Sequence, residues 1–503
     1  MRKIPSVMAT QHPDNAHAPY WEKDGDGFVS IYEEMDECAS AFQDLDVDEF
    51  MWDWEGKYAD EAVIDKLFSK YYDYFKKHQL GRDKFLTFRL PNVSQEKGYG
   101  LIRGLMVILT SEDFARDIGL AQRPLFEIIL PMVEHEDHIL YPQKAFQKLA
   151  DFKSDTFTHE QHRNTNYINI IPLVESAESQ IAIHTLLSAY VTKHREFFGH
   201  TPPYIRPFLA GSDPALVSGF LPSLLGSKIA LSEIARFTKE SGIPTYPMIG
   251  VGSLLFRGGL NPRSYTSFLK QYGGIRTVTL QSSFRYDYPL EEVKKAITYL
   301  KKELPYSPTV TVEQQDRSVL ESIIEQSTTL YRATITSIAP QMQPIFDLVP
   351  SRRERKLHIG LLAYGRTMGE LKLPRAIKFT GACYSVGIPP ELIGTGRMLA
   401  QLTESELAVL RKYYVNMDED LEEMGHFLNR ENLMLFKRDN AAWADIEEDV
   451  AGIEHILGKS IGPDSRRDYL HKNVSSNVYL LRNKPTQAMP LVIESAKIRR
   501  SLG

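Results

Sequence analysis

The sequence predicts an α/β fold: a (β/α)8 barrel of the TIM type, elaborated with additional helices that lie mainly toward the C-terminal end. Three observations point there. Short apolar, β-branched runs alternate with longer helical stretches, the order expected of a parallel sheet. Most of these runs are apolar along nearly their whole length, as strands covered on both faces are. Charged residues recur near strand ends, at Arg89, Glu175, Asp213 and Arg257. A barrel gathers its chemistry from the ends of several strands, whereas an open doubly wound sheet concentrates it at one switch point.

The elements follow in order. Residues 85–90 (FLTFRL), 126–130 (FEIIL), 168–173 (INIIPL), 205–210 (IRPFLA), 245–250, 277–280 (TVTL) and 357–362 read as strands. Between them, 216–239 and 290–304 have helical periodicity, and the second opens on Pro289 with Glu291 and Glu292 in its first turn. The turn at Gly250-Val251-Gly252 lacks the third glycine of a dinucleotide fingerprint. Beyond about residue 390 the chain becomes mainly helical, at 403–417, 418–430 and 443–457. No Pro/Gly/Ser-rich linker interrupts it. The expectation is one elaborated domain over 1–503, with a barrel core at about 80–390 and a helical extension at about 391–503.

Composition narrows the class. The 503 residues carry 59 Lys+Arg against 65 Asp+Glu, a net charge of −6, with 43% hydrophobic and 25% charged residues. These values exclude collagen-like, disordered and coiled-coil chains. Mild acidity argues against a nucleic-acid partner, though a pocket's charge can oppose the net charge. Cys38 and Cys383 form no metal or redox spacing and suit a reducing compartment. No secretory h-region and no run of 18 apolar residues is present, so a cytoplasmic protein without membrane contact is expected.

Several motifs carry candidate chemistry. In Thr10-Gln11-His12-Pro13-Asp14-Asn15, a lone histidine is more often structural. One fixed by a following proline and a nearby carboxylate is still a candidate general base. Glu175 and Asp213 follow successive strands and are suited to share one hard divalent cation. The alternative for Asp213 is a helix N-cap. Arg257 and Arg263 lie six apart across Gly258-Gly259, where glycines admit an anion close to the backbone and arginines grip its oxygens. Arg352 and Arg375 form a further basic group, although 352–356 alone reads as solvated surface. The HEDH run at 135–138 lacks H-E-x-x-H spacing and reads as a solvated loop.

Taken in order, these motifs resemble phosphoenolpyruvate carboxylase, in its short, archaeal-type branch, over essentially the whole chain. The likeness to the much longer bacterial and plant branch is confined to islands in the same order. TQHPDN resembles the segment around the catalytic histidine, implying that role for His12. FRLPN is most like the strand-end arginine motif, implying a catalytic Arg89. PLVES and AGSDPA resemble the metal-ligand segments, implying Glu175 and Asp213 as ligands of Mg2+ or Mn2+. FRGGLNPR is similar to the glycine-rich loop, implying catalytic roles for Arg257 and Arg263. LQSSFRYDY places Gln281 and Arg285 in register with a further strand. PSRR and LPRAI resemble the phosphate site, implying Arg352 and Arg375 as substrate-binding residues. Two departures stand out: Leu216 replaces a long-branch lysine and Leu255 a loop histidine, with Arg206 or Lys378 open as substitutes.

The resemblance implies a carboxy-lyase joining phosphoenolpyruvate and bicarbonate into oxaloacetate and phosphate through carboxyphosphate and enolpyruvate, an anaplerotic carbon fixation. It also implies a homotetramer in the cytoplasm. The alternatives left open are another Mg2+-dependent barrel enzyme acting on pyruvate or phosphoenolpyruvate, a C–C lyase or phosphotransferase, and a barrel without activity. The basic tail at 496–503 (AKIRRSLG) is expected to fold back near the site or regulate it.

Overall fold

In a computed structural model, eight short parallel strands close on themselves: β1 (Val7–Thr10), β2 (Glu49–Asp53), β3 (Phe85–Arg89), β4 (Glu127–Leu130), β5 (Asn169–Val174), β6 (Phe208–Ala210), β7 (Met248–Gly250) and β8 (Thr277–Leu280). The structure describes residues 3–55, 60–94, 98–120, 122–157, 166–353, 366–368 and 371–503. Closure comes from β1 pairing with β8, Val7 opposite Val278. A separate antiparallel ladder joins β9 (Arg366–Met368) to β10 (Leu371–Leu373).

Strand alternation sorts the side chains into two apolar bodies. Outward-facing Ala9, Trp52, Phe88, Ile128, Ile249 and Val278 pack beneath the surrounding helices. Inward-facing Met8, Met51, Ile129, Ile171, Phe208 and Met248 fill the barrel as a plug. Below the plug, at the N-terminal ends of the even strands, Arg206 is fully buried with Glu49, Glu127 and Thr277. Above it lie the strand ends that carry the candidate chemistry.

The barrel differs from the expected boundaries. It starts at Val7 and is complete at Leu280, not at about 80–390. β1 (VMAT) and β2 (EFMWD) hold no continuous β-branched apolar run, and their strand formers, Val7, Thr10, Phe50 and Trp52, are interrupted or flanked by Met, Ala, Glu and Asp. The strand expected at 357–362 falls outside the described residues. The helix expected at 216–239 is two, Ser212–Ser218 and Phe220–Ser241, broken at Gly219. Gly219 has φ 97°, and a Cβ there would meet the Tyr331 ring at 3.0 Å. The helix expected at 418–430 is shorter, Met417–Gly425, and a further helix that was not expected, Arg430–Asp439, follows it. The HEDH run opens the helix Glu136–Phe157.

A third apolar body unites the helix Phe220–Ser241 with the C-terminal helices. Within this half, Glu391 is fully buried and accepts a hydrogen bond from Tyr384 Oη. Burial pushes its carboxyl up to about 8, against the partial opposition of that hydrogen bond. The folded chain therefore holds a proton that the unfolded chain releases from about 4.5 upward. The linked stability is complete below that pH and is lost as pH rises through about 8. The slope for one such group is about 1.4 kcal/mol per pH unit. Glu391→Gln should remove this contribution and hold stability more level between pH 5 and 8. Urea midpoints across that range check it; parallel profiles for variant and wild type would refute a protonated Glu391. No described helix is long and apolar enough to cross a membrane.

Candidate active site

The C-terminal ends of the strands open into a cavity of about 700 Å3. Seven of the eight residues expected from the sequence line it: His12, Arg89, Glu175, Asp213, Arg257, Arg352 and Arg375. They arrive by independent routes, which is how a barrel assembles a site from distant segments.

His12 follows β1, and its Nδ1 shares a hydrogen bond of 2.9 Å with Thr10 Oγ1, which orients the ring. Its carbonyl accepts from Ser282 Oγ at 2.6 Å, tying the β1 turn to the turn after β8. Arg89, the last residue of β3, meets Asp53 in a bidentate pair, with Nε and Nη2 at 2.8 and 2.7 Å from its oxygens. Its Nη1 lies 2.8 Å from Glu55. Burial opposes the charge on Arg89, but Asp53 and Glu55 outweigh it and hold the guanidinium's pKa above its ordinary value. Glu55 also accepts from Arg375 Nη2 at 3.0 Å, so one carboxylate joins two of the cavity's cations.

Glu175 immediately follows β5. Asp213 lies in the first turn of the helix Ser212–Ser218 after β6. The N-cap of that helix is Gly211, with no side-chain cap, so Asp213 is not engaged as its cap. Both carboxylates line the cavity, which suits the two-carboxylate donor set of a hard cation whose remaining positions go to water and substrate. Among the described residues, one His/Asp cluster brings three ligand atoms within 4.8 Å of one another: His426, Asp464 and Asp468. None of the three lines the cavity. His426 Nδ1 lies 3.2 Å from Asp468 there, and Asp468 already accepts from Ser465 N in the capping box that Ser465 heads at the helix Arg466–Leu481.

Arg257 is the most constrained of the set. It ends the 3-10 turn Leu255–Arg257 and is 1% exposed. Nε donates to Ser212 Oγ at 3.2 Å, and Nη1 donates to Asp14 Oδ2 at 3.0 Å and the Gly503 carbonyl at 2.5 Å. Nη2 donates to Gln281 Oε1. Burial holds its pKa below the ordinary arginine value, and Asp14 offsets only part of that. Asp14 is fixed in turn by Ser283, whose N and Oγ donate to it at 2.7 and 2.9 Å. The basic tail does fold back: Leu502 N donates to the Asp14 carbonyl at 2.7 Å.

Arg263 does not join the others. It is half-exposed and paired with Glu292, Nε to Oε2 at 2.8 Å, beside a second, smaller cavity. The cause is the intervening turn. Gly258 and Gly259 have φ of 107° and 73°, and a Cβ on Gly258 would meet Val251 Cγ1 at 2.3 Å. The left-handed step reverses the chain and carries Arg263 away from the cavity. Of the two loop arginines expected at one site, the structure brings only Arg257 to this cavity.

Arg285 also lies away from the cavity wall, buried against Glu37 at 3.0 Å and the Thr10 carbonyl at 2.6 Å. Gln281, its neighbour after β8, does line the cavity. Arg206 is separated from the cavity by the apolar plug, which removes it as a substitute for the absent long-branch lysine. Leu216 is fully buried among the helices. The residues that sequence reasoning did not single out are Asp14, Asp53, Glu55 and Gln180. Asp14 was visible within TQHPDN; the others sit in segments without a motif. Gln180 Nε2 bonds the carbonyls of Val174 and Ala210, linking the turns that carry Glu175 and Asp213.

Among the described residues, six cations line the cavity (Arg89, Arg257, Arg352, Arg353, Arg375, Lys378) against three carboxylates, Glu55, Glu175 and Asp213. An acidic protein thus presents a cationic pocket, the arrangement that collects small anions.

A family model and the curated relatives agree on one family. The profile described as phosphoenolpyruvate carboxylase matches residues 4–503. A phosphoenolpyruvate carboxylase of Leuconostoc mesenteroides is 46% identical over 503 residues, covering 100% of this chain and 99% of its own. That of Metallosphaera sedula is 36% identical, with 100% of both chains covered. Among solved structures, a citrate lyase from Burkholderia xenovorans LB400 aligns at 12% identity with a TM-score of 0.33, covering 71% of this chain and 87% of its own.

Proposed function

The chain belongs to the phosphoenolpyruvate carboxylase family, and from that premise we propose that it joins phosphoenolpyruvate and bicarbonate into oxaloacetate and phosphate, as a cytoplasmic homotetramer, with the cavity at the strand ends as its active site. It is an enzyme of the carboxy-lyase class. The observation that carries the site assignment is the meeting, in one cavity, of two strand-end carboxylates with an excess of cations.

Glu175 and Asp213 would hold a divalent cation, Mg2+ or Mn2+. When bound, such an ion supplies Lewis-acid stabilisation of the charge that develops on the enolate oxygen. Arg352 and Arg375 hold the phosphoryl group. A bicarbonate oxygen attacks phosphorus as the bond from phosphorus to the enol oxygen breaks, giving carboxyphosphate and the enolate of pyruvate. Arg257, fixed on four sides, spreads the charge of the transferring group without reorganising. His12 takes the proton from carboxyphosphate, which then separates into CO2 and phosphate. The enolate carbon attacks CO2, forming the new C–C bond. Arg89, held by Asp53 and Glu55, places a fixed positive charge beside these steps. The loop that carries Arg257 walls off the intermediate from water.

The test couples the product to malate dehydrogenase and follows NADH loss with phosphoenolpyruvate, bicarbonate and Mg2+, without any nucleoside diphosphate. Bicarbonate-dependent NADH loss with release of phosphate is expected. Turnover only with ADP or GDP would move the reading to a carboxykinase, and no bicarbonate dependence would end it.

A further inference from the structure

Most cations of the cavity are already matched. Arg89 faces Asp53 and Glu55, Arg375 faces Glu55, Arg257 faces Asp14, and Arg353 faces Glu34 and Glu37. Among the described residues, Arg352 donates only to the backbone carbonyls of Asn15 and Ala16, at 3.1 and 3.0 Å. Lys378 is the other exception. Among the described residues its nearest carboxylate is Asp347 at 3.8 Å, a long contact between side chains 41% and 66% exposed. Solvent screens such a pair, and it contributes little to stability.

The setting of Lys378 is more telling. It is the third residue of the helix Ala376–Ser385, whose N-terminal turn (Ala376, Ile377 and Lys378) lines the cavity together with the N-cap, Arg375. That helix has no side-chain cap and no acidic residue in its first turn. Helix N-termini carry partial positive charge and unbonded N–H groups, so two added cations there are unfavourable without an anion. An anion placed there meets the amides, Arg375 and Lys378 at once. Arg352, also lining the cavity, is 7% exposed and among the described residues has no carboxylate in ion-pair contact. Burial therefore outweighs the more distant Asp287, Asp26 and Glu22 and holds its pKa below the ordinary arginine value.

We propose that Lys378 is a further substrate-binding residue, its ammonium pairing with a phosphoryl oxygen of the substrate at the N-terminus of the helix Ala376–Ser385. This rests on the carboxylase reading for the substrate's identity, but on cavity geometry alone for the anion. The lysine stem lets the ammonium follow the phosphoryl group as it changes from ester to carboxyphosphate to free phosphate. Arg375, tied to Glu55 at 3.0 Å, is less able to do so.

The test uses the full chain with Lys378→Gln, Lys378→Arg and Asp347→Asn, and inorganic phosphate as the probe. In Lys378→Gln the KM for phosphoenolpyruvate and the Kd for phosphate should rise tenfold or more. Its melting temperature without ligand should be unchanged or higher, since a cation has left a helix N-terminus. Lys378→Arg should recover most of the affinity, and Asp347→Asn should behave as wild type. A KM and phosphate Kd within twofold of wild type in Lys378→Gln would overturn the proposal. So would an equal loss in Asp347→Asn, which would make the lysine structural. If wild type shows no bicarbonate-dependent turnover, the carboxylase reading fails. Thermal protection by phosphate, kept or lost in Lys378→Gln, then still decides the anion site.

Discussion

Arg257→Ala should reduce bicarbonate-dependent turnover by at least about 10²–10³-fold, the loss typical of removing one fixed transition-state donor, while the chain still unfolds cooperatively. The size of the effect follows from how the side chain is held. Ser212, Asp14, Gln281 and the Gly503 carbonyl approach its guanidinium from segments spread across the chain. Such a group costs no reorganisation when charge develops in front of it, and no smaller side chain reproduces its directions. Arg257→Lys keeps the charge but offers one ammonium in place of a planar fork, so most of the loss should persist. The fold has a second hold on the region. Asp14, left without its arginine, retains the N–H and hydroxyl of Ser283, and the stability cost should stay near that of one unpaired buried group, about 1–3 kcal/mol. Coupled-assay rates measured alongside thermal unfolding separate the two effects. Wild-type rates in Arg257→Ala would remove the loop from the mechanism, and loss of the cooperative transition would leave Arg257→Lys to decide.

What was legible in the sequence divides along physical lines. Strands β3 to β8 announced themselves because most are apolar or β-branched segments buried on both faces, a pattern written in local composition. β1 and β2 were not, because their inward positions carry Met8, Thr10, Glu49, Met51 and Asp53, chosen for the barrel interior rather than for strand propensity. The cavity residues were found through motifs, and the closure of the barrel brought seven of eight to one place. Arg263 was misplaced because spacing along the chain does not record a reversal. The positive φ of Gly258 and Gly259 does, and a Gly-Gly pair alone fits several turns. What the carboxylates that hold the cations in position do was not legible, for a different reason. Asp53, Glu55 and Asp14 matter only through contacts made across 36, 34 and 243 positions of sequence.

Arg206→Met should cost about 3–5 kcal/mol of stability, the usual consequence of removing one partner from a buried ion cluster, and leave the affinity of the surviving folded protein nearly unchanged. Arg206 Nη2 lies 2.7 Å from Glu49 Oε2, and Nη1 lies 2.8 Å from Glu127 Oε2 and 3.1 Å from Glu49 Oε1. Burial opposes its charge, but the two glutamates outweigh that and hold the guanidinium's pKa above its ordinary value. Methionine fills a similar volume, so the loss is electrostatic. Two carboxylates remain beneath the plug, with Thr87 and Tyr204 donating one hydrogen bond each at 2.5 Å. Neutralising them should therefore repair much of the damage, and Arg206→Met with Glu49→Gln and Glu127→Gln should be more stable than Arg206→Met alone. Urea unfolding of the single and triple variants measures this. A single variant within about 1 kcal/mol of wild type would show that the cluster is not what secures the barrel floor. A triple variant no better than the single would show that the loss comes from packing. The plug of Met8, Met51, Ile129, Ile171, Phe208 and Met248 stands between this cluster and the cavity. A changed KM for phosphoenolpyruvate in folded Arg206→Met would mean that the two ends of the barrel are coupled through it.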